Sequence, residues 1–230
     1  MRPATLARLV TMVIALAAAS CQTIDDASRV INRADLVNDL ASRLDGSGEL
    51  TYSAEYQLPG GAAAMIAQAQ APLRSAYEYP GGKLTVTADA TADCRTASGA
   101  TTCTLTAPPS PNNQPAVAVF TDANEHGLVP PTMVIGLLTA AALDADATIE
   151  QSDTTIAGRH ATCVRVEKVQ NAAASAFDAC ITTEGVLGSF SGVVNGTDVE
   201  IAMTRYRDAV DANAFALPAD AKIVDRRAGA

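Results

Sequence analysis

The chain has 230 residues, 48% of them hydrophobic, and a formal net charge of −9 from 25 acidic against 16 basic side chains. That acidity disfavours nucleic acid or an anionic surface as a partner. Trp is absent and aromatics make up only 4% of the chain, which argues against stacking platforms for bases or sugars.

The first twenty residues read MRPATLARLVTMVIALAAAS. Arg2 and Arg8 form a basic start, Leu9 to Ala19 is an apolar run broken only by Thr11, and small residues close it. This is the layout of a secretory signal peptide, and the run is too short to cross a hydrocarbon layer of roughly 30 Å. Two cleavage sites compete. Ala17 and Ala19 satisfy a small-x-small site, whereas Ala18-Ala19-Ser20-Cys21 resembles the lipobox of bacterial lipoproteins. In that family cleavage leaves the Cys first and its thiol carries diacylglycerol; Ala18 departs from the Leu usual at its position.

Cysteine parity favours the second site. The five cysteines are Cys21, Cys94, Cys103, Cys163 and Cys180. Outside the cytosol thiols tend to pair, and an acylated Cys21 leaves four for two bridges. Four cysteines allow three connectivities; the expected one is Cys94–Cys103 and Cys163–Cys180, each within reach of a single hairpin. Removing residues 1–20 lowers Lys+Arg from 16 to 14 against 25 acids, a formal balance of about −11. The expected organisation is a signal peptide over 1–20, a lipidated tether over 21–24, one domain over 25–225 and a frayed end over 226–230.

Residues 25–45 carry Val30, Ala34, Val37, Ala41 and Leu44 at three- and four-residue spacing, with Leu36 and Leu40 widening the stripe. This predicts an amphipathic helix stopping at Gly46, its polar face bearing both charge signs. ELTYSAEYQL, AAAMIAQAQ, PLRSAYEY, KLTVTADATADC and ATTCTLTAP follow, broken by Pro-Gly and Gly-Gly, as in an antiparallel meander. AAAMIAQAQ is equally compatible with helix on propensity alone. PPSPNNQPA is a loop by its prolines. PTMVIGLLTAAAL then forms a short helix that is apolar almost all round, which is buried, covers an apolar cavity or touches lipid. Met133, Val134, Leu137 and Leu138 are its candidate ligand-lining residues. ATIEQSDTTIAGRHATCVRVEKV, FDACITTEG, VLGSFSGVVNG and TDVEIAMTRYRD return to strands, with Asn195-Gly196 a strong hairpin signal.

These elements predict an α+β domain. Its core is a single curled antiparallel sheet, a half-barrel of roughly 8–11 strands. An N-terminal helix and the apolar helix lie on its concave face.

No motif carries catalysis. His126 and His160 lack companions at ligand spacing, and GSFSG over 188–192 has Phe190 where a nucleophile elbow needs Ser. DADATIEQSD lacks the Gly and Glu of a calcium loop, and PGGK lacks the spacing of a phosphate loop. Nothing calls for a cofactor or metal, and a non-enzymatic monomer is expected.

The Cys21 start, TYSAEY, GRHATCVRV, FDACITTEGVLGSF and AFALP together resemble actinobacterial cell-envelope lipoproteins. The arrangement is similar to the periplasmic lipoprotein-carrier (LolA/LolB-like) fold, which mycobacterial glycolipid-carrying lipoproteins also adopt. The resemblance implies a sheet whose hollow, closed by helices, holds acyl chains. Two functions follow as expectations: an extracytoplasmic carrier or binder of a lipid held at the cell membrane through Cys21, or an envelope sensor that binds another protein.

Overall fold

The computed structural model describes residues 33–109 and 120–227. The leader, Cys21, the start of the first expected helix and most of the proline-rich loop lie outside the described residues.

Residues 33–46 form helix α1. Val37, Leu40, Ala41 and Leu44 are buried along one side, while Asp35, Asn38, Asp39, Ser42, Arg43 and Asp45 face water. Gly46 does not stop it. It keeps a right-handed helical φ of −59°, and the chain tightens into a 3-10 turn over Ser47–Glu49 before Leu50 turns extended. The Ser47 hydroxyl donates to Leu44 O at 2.6 Å, extending the helix by one more turn.

Six strands follow: β1 Tyr52–Gln57, β2 Ala63–Gln70, β3 Leu73–Tyr79, β4 Gly82–Val86, β5 Thr91–Ala97 and β6 Ala100–Thr106. After helices α2 (Thr121–Glu125) and α3 (Pro131–Leu143) come β7 Thr148–Ile156, β8 Arg159–Glu167, β9 Phe177–Thr182, β10 Leu187–Val194, β11 Thr197–Arg207 and β12 Lys222–Asp225. All twelve join one sheet in the order β12-β6-β5-β4-β3-β2-β1-β11-β10-β9-β8-β7. Two antiparallel meanders, β1–β6 and β7–β11, are fused where β1 pairs with β11.

The sheet thus has twelve strands rather than the expected eight to eleven, and it is mixed. β12 adds in parallel to β6, and the Arg226 amide donates to Leu105 O at 2.8 Å just beyond it. The AAAMIAQAQ segment is strand β2: pairing with β1 and β3 satisfies its backbone, which overrides alanine's helical preference. KLTVTADATADC is two strands, because Thr87 folds back on Ala90 through a backbone bond at 2.9 Å and a hydroxyl bond at 3.1 Å.

Laid flat, twelve strands would span about 50 Å. Instead β7 returns toward its own sheet, and a Cβ placed on Gly188 of β10 would meet the Ile156 side chain of β7 at 3.0 Å. One buried cluster joins α1, α2 and α3 to inward-facing residues of both meanders, from Leu84 and Val86 on one side to Val164 and Val166 on the other. The opposite face holds a small second cluster. There Phe215, from the 3-10 turn Ala212–Phe215, covers Ala67, Ala69 and Ala76 beneath the Arg74 guanidinium, 4.3 Å from the ring centre.

Candidate functional site

Helix α3 is built by its ends. Pro130 is extended and Pro131 opens the first turn, where a missing N–H costs nothing; Asp144 ends the helix in an extended conformation. Between them there is no charged residue. Val134 and Leu138 have no exposed surface and Leu137 keeps 3%, while Met133 is half-buried. The four candidate lining residues therefore share one layer between helix and sheet. Phe120 and Leu128 beside them are also fully buried, and side chains without accessible surface border no void that admits water.

Three tyrosines enter the same core. Tyr56 donates to Leu187 O at 2.8 Å, binding β1 to the second meander. Burial pushes the Tyr52, Tyr56 and Tyr77 hydroxyls up from their ordinary ionisation range. Tyr77 meets Phe120 edge-on at 4.9 Å.

At the edge of this core lies a polar knot. Tyr79 donates to Asp122 Oδ2 at 2.9 Å, and Arg95 reaches Asp122 at 3.3 Å and Asp93 at 3.1 Å. The His126 ring packs beside Tyr79 at 5.7 Å, and its Nδ1 lies 2.8 Å from Asp122 O. Asp93 Oδ1 and Asn124 Oδ1 are buried without a partner. Each carboxylate here already faces an arginine, and among the described residues no three His, Cys, Asp or Glu side chains are placed to hold a metal. The knot anchors α2; sequence reasoning missed it because its members come from β3, β5 and α2. His160 stands apart, exposed on β8.

An open cleft of about 510 Å³ lies on the sheet face away from the helices. Glu78, Lys83, Thr96, Thr101 and Leu217 line it, and the Lys83 ammonium donates to Ala216 O at 2.9 Å across its edge. Its lining includes Gly81, Gly82 and Lys83 of PGGK and Ala216, Leu217 and Pro218 of AFALP, neither of which the sequence marks as a site. The disulfides occupy this outer face as well. Cys94–Cys103 joins directly opposed residues of β5 and β6, and Cys163–Cys180 those of β8 and β9, each with Cα atoms 3.9 Å apart. This is the connectivity expected from the sequence. Among the described residues no helix is long and apolar enough to cross a membrane.

No protein-family model matches the chain, and no curated protein does. Among solved structures it is similar to MucB, with 12% identity and a TM-score of 0.45 over 82% of this chain, and it spans 65% of the MucB chain. It is also similar to an uncharacterized conserved protein from Thermus thermophilus, again at 12% identity and TM-score 0.45, over 82% of this chain and 98% of that one.

Proposed function

We propose that this protein is a non-enzymatic, extracytoplasmic lipoprotein, held to a membrane through acylated Cys21, that shelters a lipid or other apolar ligand between α3 and the sheet. The observation that carries the reading is α3 itself: thirteen residues without a charge, lying as a lid over a core drawn from both meanders. The two disulfides support an oxidising compartment. Because Val134 and Leu138 are wholly covered, the ligand enters by lifting α3 rather than by occupying a standing hollow beside them. Native mass spectrometry of protein purified from its own membrane is the test. A retained apolar ligand is expected; its absence from protein kept in mild detergent overturns the binding role. Fractionation of C21S tests the anchor separately, since an unchanged membrane share removes it.

The full cover of Val134 and Leu138 favours a second reading, an interaction module that the lipid merely tethers. β7 supports it: an edge strand of nine residues, largely exposed, which among the described residues pairs on its β8 side alone. Cross-linking in cells that captures one stable protein partner, on protein free of lipid, would favour this role.

A further inference from the structure

The inner side of α3 is accounted for by the core, but its outer side is not. Along that side stand Gly136 and Thr139, exposed, and Leu143, 83% exposed, with Ile135 half-buried at its margin and packed against the core. Thr139 is the lone hydroxyl at the centre of this face, and it donates back to Ile135 O at 2.8 Å, which satisfies it within the helix. The contrast with α1 is direct. Both helices pack on the sheet, yet α1 turns Asp35, Asp39, Arg43 and Asp45 outward whereas α3 turns out nothing that water binds well.

The described part of α1 begins beside this helix. Arg33, the first described residue of α1, donates to Ala147 O at 3.4 Å, four residues past Leu143. Arg33 and Ala34 share a hollow of about 10 Å³ with Ala141, Ala142 and Ala147. Cys21 precedes Arg33 by twelve residues, a path of at most about 40 Å. Asp144 is held below the ordinary carboxylate range by the backbone N–H groups of Gln170 and Asp146, so it stays charged and marks where the uncharged face ends.

We infer that the outer face of α3, from Ile135 to Leu143, rests on the bilayer that anchors Cys21, so that the domain sits on the membrane in one orientation with its lid helix at the lipid surface. The inference rests on the anchor proposed above. Its occupant is the apolar zone of a zwitterionic bilayer, since a processed chain with a formal balance of about −11 gains nothing from anionic headgroups.

The absence of Trp supplies the test. L143W and T139W each introduce a lone indole on the proposed face, and I223W introduces one on β12, at the far edge of the sheet. The full-length lipidated proteins are reconstituted into phosphatidylcholine vesicles carrying brominated acyl chains, with circular dichroism confirming the fold of each. L143W and T139W should shift to shorter wavelength and lose emission, while I223W keeps both. Vesicle-bound L143W and T139W proteins quenched no more than I223W overturn the orientation and leave the anchor standing. Protein that fails to float with vesicles, behaving like C21S, removes the anchor and the orientation together. Indoles already shielded by a co-purified protein before vesicles are added assign the face to that protein instead and overturn the proposal.

Discussion

Tyr79 on β3 and Asp122 on α2 are joined by a 2.9 Å hydrogen bond from hydroxyl to carboxylate, forty-three residues apart in sequence. This bond and the Arg95 guanidinium add to the burial of Phe120 and Ala123 in holding the short α2 against the first meander. A charge-assisted bond of this kind contributes about 2 kcal/mol. Y79F is therefore expected to lose about 2 kcal/mol in urea unfolding, because Asp122 keeps only one of its two partners. A loss below about 0.5 kcal/mol would show that Arg95 alone suffices.

Gly185 sits in the turn between β9 and β10 at φ +89°, and a Cβ there would run into the Arg43 carbonyl of α1. G185A combines left-handed strain with a backbone collision that no rotamer relieves. It is expected to cost about 2–4 kcal/mol and to loosen α1 from the sheet. Hydrogen exchange should show faster opening across residues 33–46 before the strands respond; uniform protection would refute the contact.

Leu138 and Leu143 lie on one helix but in opposite surroundings, fully buried and 83% exposed. L138A is expected to cost about 3 kcal/mol through the lost side chain and the space it leaves. L143S should stay within about 0.5 kcal/mol of the parent. Equal effects at the two sites would mean that α3 is rotated from the orientation described.

All five tyrosines have ionisation raised, first by burial; Asp122 adds to this at Tyr79 and Asp208 at Tyr206. A phenol whose folded pKa lies above its unfolded value contributes stability that is fully present below about pH 10. Above that pH the unfolded chain ionises while the fold resists, so stability falls as pH rises. Tyrosinate absorbance should therefore appear together with loss of the far-ultraviolet dichroism. Ionisation near pH 10 in a chain that keeps its dichroism would refute the burial of the phenols.

The two disulfides close loops of sequence separation 9 and 17. Loop entropy alone gives about 2.5 kcal/mol for Cys94–Cys103 and about 3 kcal/mol for Cys163–Cys180. C94A/C103A and C163A/C180A should each unfold earlier, the second slightly more so, and a non-reducing peptide map should show these two pairs. Either of the other connectivities would overturn the sheet register around them.

Much of the sheet was legible because its signals are local. Asn195-Gly196 marks the β10–β11 turn, the period of Val37, Leu40, Ala41 and Leu44 marks α1, and hairpin-distance cysteines mark two registers. The unforeseen parts depend on partners far along the chain. β12 is four residues long and becomes a strand only where β6 offers an edge. β2 is a strand because its neighbours pair with it, although its alanines suit a helix. At the site, the apolar character of α3 was readable but its packing was not. Whether Val134 and Leu138 border a hollow or solid core depends on Phe120 and Leu128, and no periodicity reports that.

The sulfur clamps fall one on either wing of the sheet, and neither crosses the β1–β11 seam. Each wing is stiffened, while the joint between them is held by backbone bonds with a bulge at Glu55 and Tyr56, by the Tyr56 hydroxyl on Leu187 O and by Glu55 facing Arg205 and Arg207. Each half therefore carries its own covalent brace, and reducing one bridge should loosen that half without parting the joint.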